Sequence, residues 1–206
     1  MQHINYYILK VRMIRMAKVQ PKQTQRLVTA RVLRSVAAAM LPFYRKIAGN
    51  RSYARQWTTA VVTADLDLMG SLLHSIPTLA DAENYGTNGI GYFISFPFPL
   101  PVAFYTNGTT IPPGTVQFTF NTDAHRCIAR SILPLYRELA VNRSFAEAMA
   151  AAIRRKDNRA VRAMVRSLVR TTSLKSVTIE ESGIALLFKT RFSRYPYRNL
   201  LFQEMM

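Results

Sequence analysis

Leu41-Pro42-Phe43-Tyr44-Arg45-Lys46-Ile47-Ala48-Gly49-Asn50-Arg51-Ser52-Tyr53-Ala54 returns as Leu133-Pro134-Leu135-Tyr136-Arg137-Glu138-Leu139-Ala140-Val141-Asn142-Arg143-Ser144-Phe145-Ala146, with nine of fourteen positions identical. Chance does not produce that agreement, so the pair reads as an internal duplication at an offset of 92 residues. The offset persists downstream, where Asp65 falls on Asp157, Leu72 on Met164, Leu73 on Val165 and Ile76 on Leu168. Two copies of about 90 residues fill a 206-residue chain. The expected fold is α+β and mainly helical: a kinked helix–turn–helix–β unit, present twice and packed with pseudo-two-fold symmetry as one body.

Around the repeat, apolar periodicity sets the elements. Val28, Val32, Val36, Met40, Phe43, Tyr44 and Ile47 recur every three or four residues, which predicts a helix over 24–48. Ile128, Ile132, Leu135, Tyr136 and Leu139 repeat that face behind Thr122-Asp123, a cap candidate. Pro42 and Pro134 sit inside the two stripes and predict a kink or break in each. Gly49 suits a left-handed helix end, and Ser144 with Glu147 has capping-box spacing. The repeated Asn-Arg-Ser reads as a corner needed twice by the fold rather than as a paired polar site. Second helices are expected over 52–76 and 144–170, the first closed by Pro77. Their apolar faces are Val61, Met69, Leu72, Leu73 and Ile76, and Ile153, Val161, Met164, Val165 and Leu168. Trp57, the single tryptophan, is expected in the core or at the seam.

Residues 84–122 carry no charge, and five prolines between 97 and 113 exclude a spanning helix. Ile90–Phe96, Val102–Tyr105 and Val116–Phe120 read as strands, with Asn107-Gly108 as a tight-turn signal. In the second copy, Val177–Glu180 and Ile184–Phe188 flank Glu181-Ser182-Gly183, with a last extended piece near Tyr195–Phe202. Gly89-Ile90-Gly91 aligns with Gly183-Ile184-Ala185 if the offset slips by two. The organisation expected is thus a basic arm over 1–21, copy one over 22–121 with an uncharged β/Pro-rich insertion, and copy two over 122–206. Met16 offers an alternative start, and the acid-free beginning also fits a transit peptide, though serine is scarce there.

The net charge is +17, and residues 1–64 hold twelve Lys or Arg without one acid. Self-repulsion on this scale is relieved by an anionic partner. Arg155, Arg159, Arg162, Arg166 and Arg170, spaced 4, 3, 4, 4, would form one stripe about 22 Å long on a continuous helix. Arginine suits phosphate because its fork donates two parallel hydrogen bonds. The equivalent positions of copy one are Thr63, Asp67, Gly70, His74 and Thr78, so the fold itself does not require the stripe. Tyr92, Phe93, Phe96, Phe98, Phe104 and Tyr105 crowd into fourteen residues with three prolines and read either as core or as an assembly or membrane contact.

Catalytic signatures are missing. Cys127 is the single cysteine, so no intrachain disulfide forms, and the scattered His3, His74 and His125 argue against zinc. Asp123, His125 and Cys127 at i, i+2 and i+4 of a helix do not share a face. The sequence contains no Gly-rich phosphate loop, nucleophile elbow or His-Glu-x-x-His. The expectation is a non-catalytic structural or assembly protein without cofactor or metal. It engages nucleic acid or another polyanion through the arginine stripe, is able to form homo-oligomers, and leans to a cytoplasmic setting. A membrane-associating protein using the Phe/Pro segment, with anionic lipid the lesser partner, and an enzyme at the seam between copies are the alternatives.

Overall fold

The computed structural model describes residues 28–114 and 116–204. The basic arm over 1–21, the alternative start at Met16 and the first residues of the expected opening helix lie outside them. Among the described residues the chain runs α1 (Ala30–Gly49), α2 (Arg51–Thr63), α3 (Leu66–His74), β1 (Tyr85–Thr87), β2 (Gly91–Pro97) and β3 (Phe104–Thr110). It continues with α4 (Thr122–Val141), α5 (Arg143–Arg154), α6 (Asn158–Leu168), β4 (Leu174–Glu180), β5 (Gly183–Phe188) and β6 (Tyr197–Gln203). A short 3-10 turn covers Pro77–Leu79. All six strands join one antiparallel sheet in the order β1-β2-β3-β6-β5-β4.

Each expected second helix is two helices. Ala64 and Lys156 both take left-handed φ of 55°, turning the chain, and Asp65 and Asp157 then cap the next helix by accepting from Leu68 N and Ala160 N at 2.9 Å. The apolar rhythm runs straight through these breaks because both helices of each pair face the same core, so periodicity does not reveal them. Neither Pro42 nor Pro134 ends its helix; α1 and α4 run twenty residues each through them. The corners after these helices belong to asparagine. Asn50 accepts from Tyr53 N at 2.9 Å and Asn142 from Phe145 N at 3.0 Å, each closing one helix and opening the next. Gly49 is therefore the last helical residue rather than a left-handed cap. Asn121, not Thr122-Asp123, caps α4. Ser144 caps nothing, and Glu147 pairs with Arg143 at 2.8 Å instead.

Helices α1 and α4 lie antiparallel across the middle of the sheet. Arg34 Nε donates to the Ala140 carbonyl at 3.4 Å, and Arg126 Nη2, 92 positions on from Arg34, donates to Ala48 at 3.1 Å. Ala48 also accepts from Arg130 at 3.1 Å. These guanidinium groups satisfy carbonyls at the last turn, where a helix lacks its own donors and its dipole favours cations. Beneath the helix pair, β3 and β6 meet with Gly108 opposite Leu200, 92 residues further along the chain.

The helices cover the sheet face that carries Tyr92, Ile94, Asn107, Thr109, Ile184, Leu186, Tyr197, Asn199 and Leu201, all buried. Strand alternation puts Phe93, Thr106, Gly108, Leu200 and Phe202 on the other face. Phe43 is the hub of an aromatic cluster, edge to face with Tyr44, Trp57 and Tyr92 at 5.4, 4.8 and 5.6 Å between ring centres. Trp57 is fully buried in it.

The uncharged stretch supplies three strands of this sheet, β1, β2 and β3. β2 and β5 begin at Gly91 and Gly183, 92 residues apart. Asn107-Gly108 is not a turn; both lie mid-strand and buried. A Cβ on Gly108 would meet the Tyr92 carbonyl oxygen at 2.3 Å, which is why glycine stands there. The β2–β3 connection is made by residues 98–103, and 116–120 forms no strand. In the other half Glu181 and Ser182, with φ of 44° and 56°, make the tight turn between β4 and β5.

Candidate nucleic-acid interface

The five arginines do not share one helix. Arg155 is the cap residue just past α5, Arg159, Arg162 and Arg166 stand on α6, and Arg170 lies past its end. The three on α6 fall within about 60° of one another around the axis and span about 10 Å along it. The opposite side of α6 is spent on the core through Val161 and Val165, with Met164 and Leu168 packed at its margin. The expected continuous ridge is thus shorter on the helix and stepped at both ends. All five guanidinium groups remain exposed. None pairs with a carboxylate among the described residues, whose ion pairs lie elsewhere. Arg166 donates to the Lys175 carbonyl at 3.3 Å and Arg170 to that of Ser167 at 2.9 Å. Those bonds aim the forks without neutralising them.

The surface continues past the helix into residues that periodicity did not single out. Lys175 follows on β4, and its Nζ donates to the Thr172 carbonyl at 3.0 Å. Lys189 N bonds the Ser173 carbonyl at 2.8 Å, which seats the β5–β6 loop, 189–196, against the end of α6 and β4. That loop places Lys189, Arg191 and Arg194 in solvent. Arg191 lies over the Phe192 ring at 5.0 Å, and Arg194 over Tyr195 at 4.7 Å. Side chains fix its shape: Thr190 Oγ1 accepts from Phe192 N at 3.3 Å, Ser193 Oγ from Tyr195 N at 3.1 Å, and Lys189 Nζ bonds the Arg194 carbonyl. Neither 158–179 nor 182–203 contains an Asp or Glu. The signal available in the sequence was Lys-Thr-Arg-Phe-Ser-Arg-Tyr over 189–195, cations interleaved with aromatics.

The aromatic set divides. Tyr92 and Tyr105 are fully buried, so they cannot form an outer contact. Phe93, Phe96, Phe98 and Phe104 are half-buried, and Phe93 meets Phe202 edge to face at 6.4 Å between ring centres on the open side of the sheet. Leu100, 77% exposed, is the apolar tip of the β2–β3 loop. Among the described residues, no helix is long and apolar enough to cross a membrane.

The seam between halves is filled. Tyr44, Tyr136, Asn107 and Asn199 close a buried hydrogen-bonded ring there. Burial raises the pKa of all the tyrosines involved. His125, fully buried, contacts Tyr92 Oη at 3.0 Å, and desolvation pulls its pKa down to about 3. Asp123 pairs instead with Arg51 at 3.2 Å and Arg126 at 3.7 Å, so the acid, imidazole and Cys127 thiol do not converge. Asp65 and Asp157 are occupied as helix caps. A cleft of about 190 Å³ lies away from the seam, between residues 77–84 and Ser95–Pro97. No group of three or more His, Cys, Asp or Glu among the described residues is placed to hold a metal ion.

No family model, curated protein or solved structure matches the chain.

Proposed function

We propose that this protein is a non-catalytic structural or assembly protein that binds a polyanion, nucleic acid foremost, on the arginine surface of α6. One observation carries the reading: five exposed guanidinium groups recur along 155–170 with no carboxylate partner among the described residues, and Asp157, the acid that stands among them, is engaged as the cap of α6. Like charges at helical spacing repel, by about 0.2–0.5 kcal/mol per pair. Phosphates along them relieve that cost and release condensed counterions. The contact holds backbone phosphates and reads no base edges. The test is anisotropy of a labelled 20-base-pair duplex across a KCl series. A straight, falling log–log line is expected, its slope reduced by about 1 for each phosphate contact removed in Arg159→Gln, Arg162→Gln and Arg166→Gln. A flat line, or no binding at low salt, rejects the reading.

We also infer that the two halves are copies of one three-helix, three-strand unit, packed about a pseudo-two-fold axis. In support, the offset of 92 links the Asn50 and Asn142 caps, the Asp65 and Asp157 caps, the left-handed Ala64 and Lys156, and Asn107 with Asn199. Only the second unit carries the arginines, as expected where one copy keeps the fold and the other acquires the contact.

A further inference from the structure

We propose that the β5–β6 loop makes this surface selective for single-stranded nucleic acid, with Phe192 as the platform for an unpaired base. The inference rests on the polyanion reading above and adds the class of strand. Phe192 is 40% exposed on a loop that also carries Lys189, Arg191 and Arg194, and, unlike Tyr195, it does not pack against the core. Water disfavours an apolar ring held in the open, and a second flat surface against it restores the lost contact. The ring is flanked by the guanidinium of Arg191, and Lys189 and Arg194 lie within three residues of it.

Those are the components of single-strand recognition: cations that follow the backbone beside an aromatic face that accepts any base. A duplex keeps its bases stacked inside, so it meets the cations and not the ring. Continuity with α6 is built in, because Lys189 N is bonded to Ser173 and Leu174 pairs with Phe188. Arg166 is bonded to the Lys175 carbonyl, so a strand lying on α6 has Lys175 of β4, and through β4 the β5–β6 loop, as its neighbours. The hydrogen bonds of Thr190 and Ser193 hold the platform in place beforehand, so little ordering is left for the moment of binding.

The experiment compares fluorescein-labelled dT20 with the 20-base-pair duplex, using the full chain, Phe192→Ala and Phe192→Trp. Phe192→Ala is expected to weaken dT20 about tenfold, within the range of one lost base–aromatic stack, and to leave duplex affinity and both salt slopes unchanged. Phe192→Trp restores dT20 binding, and its indole emission is quenched on addition of strand. Duplex binding with dT20 indifferent to Phe192→Ala overturns this inference alone. Absence of salt-dependent binding to either probe overturns it together with the reading beneath it.

Discussion

Asn107 and Asn199 each accept a hydrogen bond from one tyrosine and donate one to the other. Tyr44 Oη donates to Asn107 at 2.6 Å and accepts from Asn199 at 2.8 Å, while Tyr136 Oη donates to Asn199 at 3.0 Å and accepts from Asn107. The remaining amide hydrogens reach the carbonyls of Leu200 and Gly108 at 2.7 and 3.2 Å. Every polar atom of the four side chains is thus engaged where water has no access, the condition under which a buried polar group stabilises rather than costs.

Breaking that ring at one hydroxyl leaves an asparagine oxygen without its donor. Tyr44→Phe is expected to lower stability by about 1–3 kcal/mol in urea unfolding. Tyr136→Phe should behave alike, and the double substitution should cost less than the two singles added, because the first already opens the circuit. Additive losses would mean that the two bonds act independently.

His125 makes the fold sensitive to acid. Its folded pKa of about 3 lies below the ordinary value of 6.5, so between those limits the unfolded chain binds the extra proton. The stabilising contribution is fully present above pH 6.5 and drains away as pH falls towards 3, by about 1.4 kcal/mol per pH unit. Urea midpoints at pH 7.5 and 5 should therefore differ, and His125→Phe should flatten that difference. An equal fall in the variant would assign the acid sensitivity to the carboxylates.

Gly108→Ala should cost about 1–3 kcal/mol, because a methyl there drives into the Tyr92 carbonyl oxygen at 2.3 Å and the Phe93 ring at 2.8 Å. Gly49→Ala, with nothing within 4 Å, is the control and should be neutral or stabilising by about 0.5–1 kcal/mol in a thermal melt.

Asp157 joins the cap of α6 to the charge of the arginine surface, and the two roles separate by substitution. Asp157→Ala should destabilise by about 1 kcal/mol through loss of the cap. Asp157→Asn keeps a capping oxygen and removes the anion beside Arg155 and Arg159, so duplex affinity at low salt should rise. Asp65→Asn, which caps α3 away from the arginines of α6, should leave binding unchanged.

What the sequence showed and what it concealed follow from where the information lies. The faces of α1 and α4 are legible because each buries one side, against the other helix and the sheet, and a 3.6-residue rhythm records that burial directly. The breaks at Ala64 and Lys156 were not, since a left-handed non-glycine residue leaves no mark on hydrophobicity. Asn107-Gly108 was misread because the same two residues that favour a hairpin turn also suit a buried hydrogen-bonding site beside a close strand. Residues 84–122 stand apart in sequence by their lack of charge and their prolines, and neither property reveals that they supply β1, β2 and β3 of one sheet. Of the candidate interface, the charges on α6 are visible from their spacing. The neighbouring Lys189–Tyr195 loop became part of the same surface only once Lys189 was seen bonded to Ser173.

The sheet is continuous only through the pairing of β3 with β6, strands about ninety residues apart in the chain. While synthesis is under way, the first half therefore waits with one edge of β3 bare until the last strand emerges, and folding must pass through a late, long-range closure. If released at residue 121, the same half would leave that bare edge open to a strand of another chain, an invitation to aggregate that the intact protein withdraws.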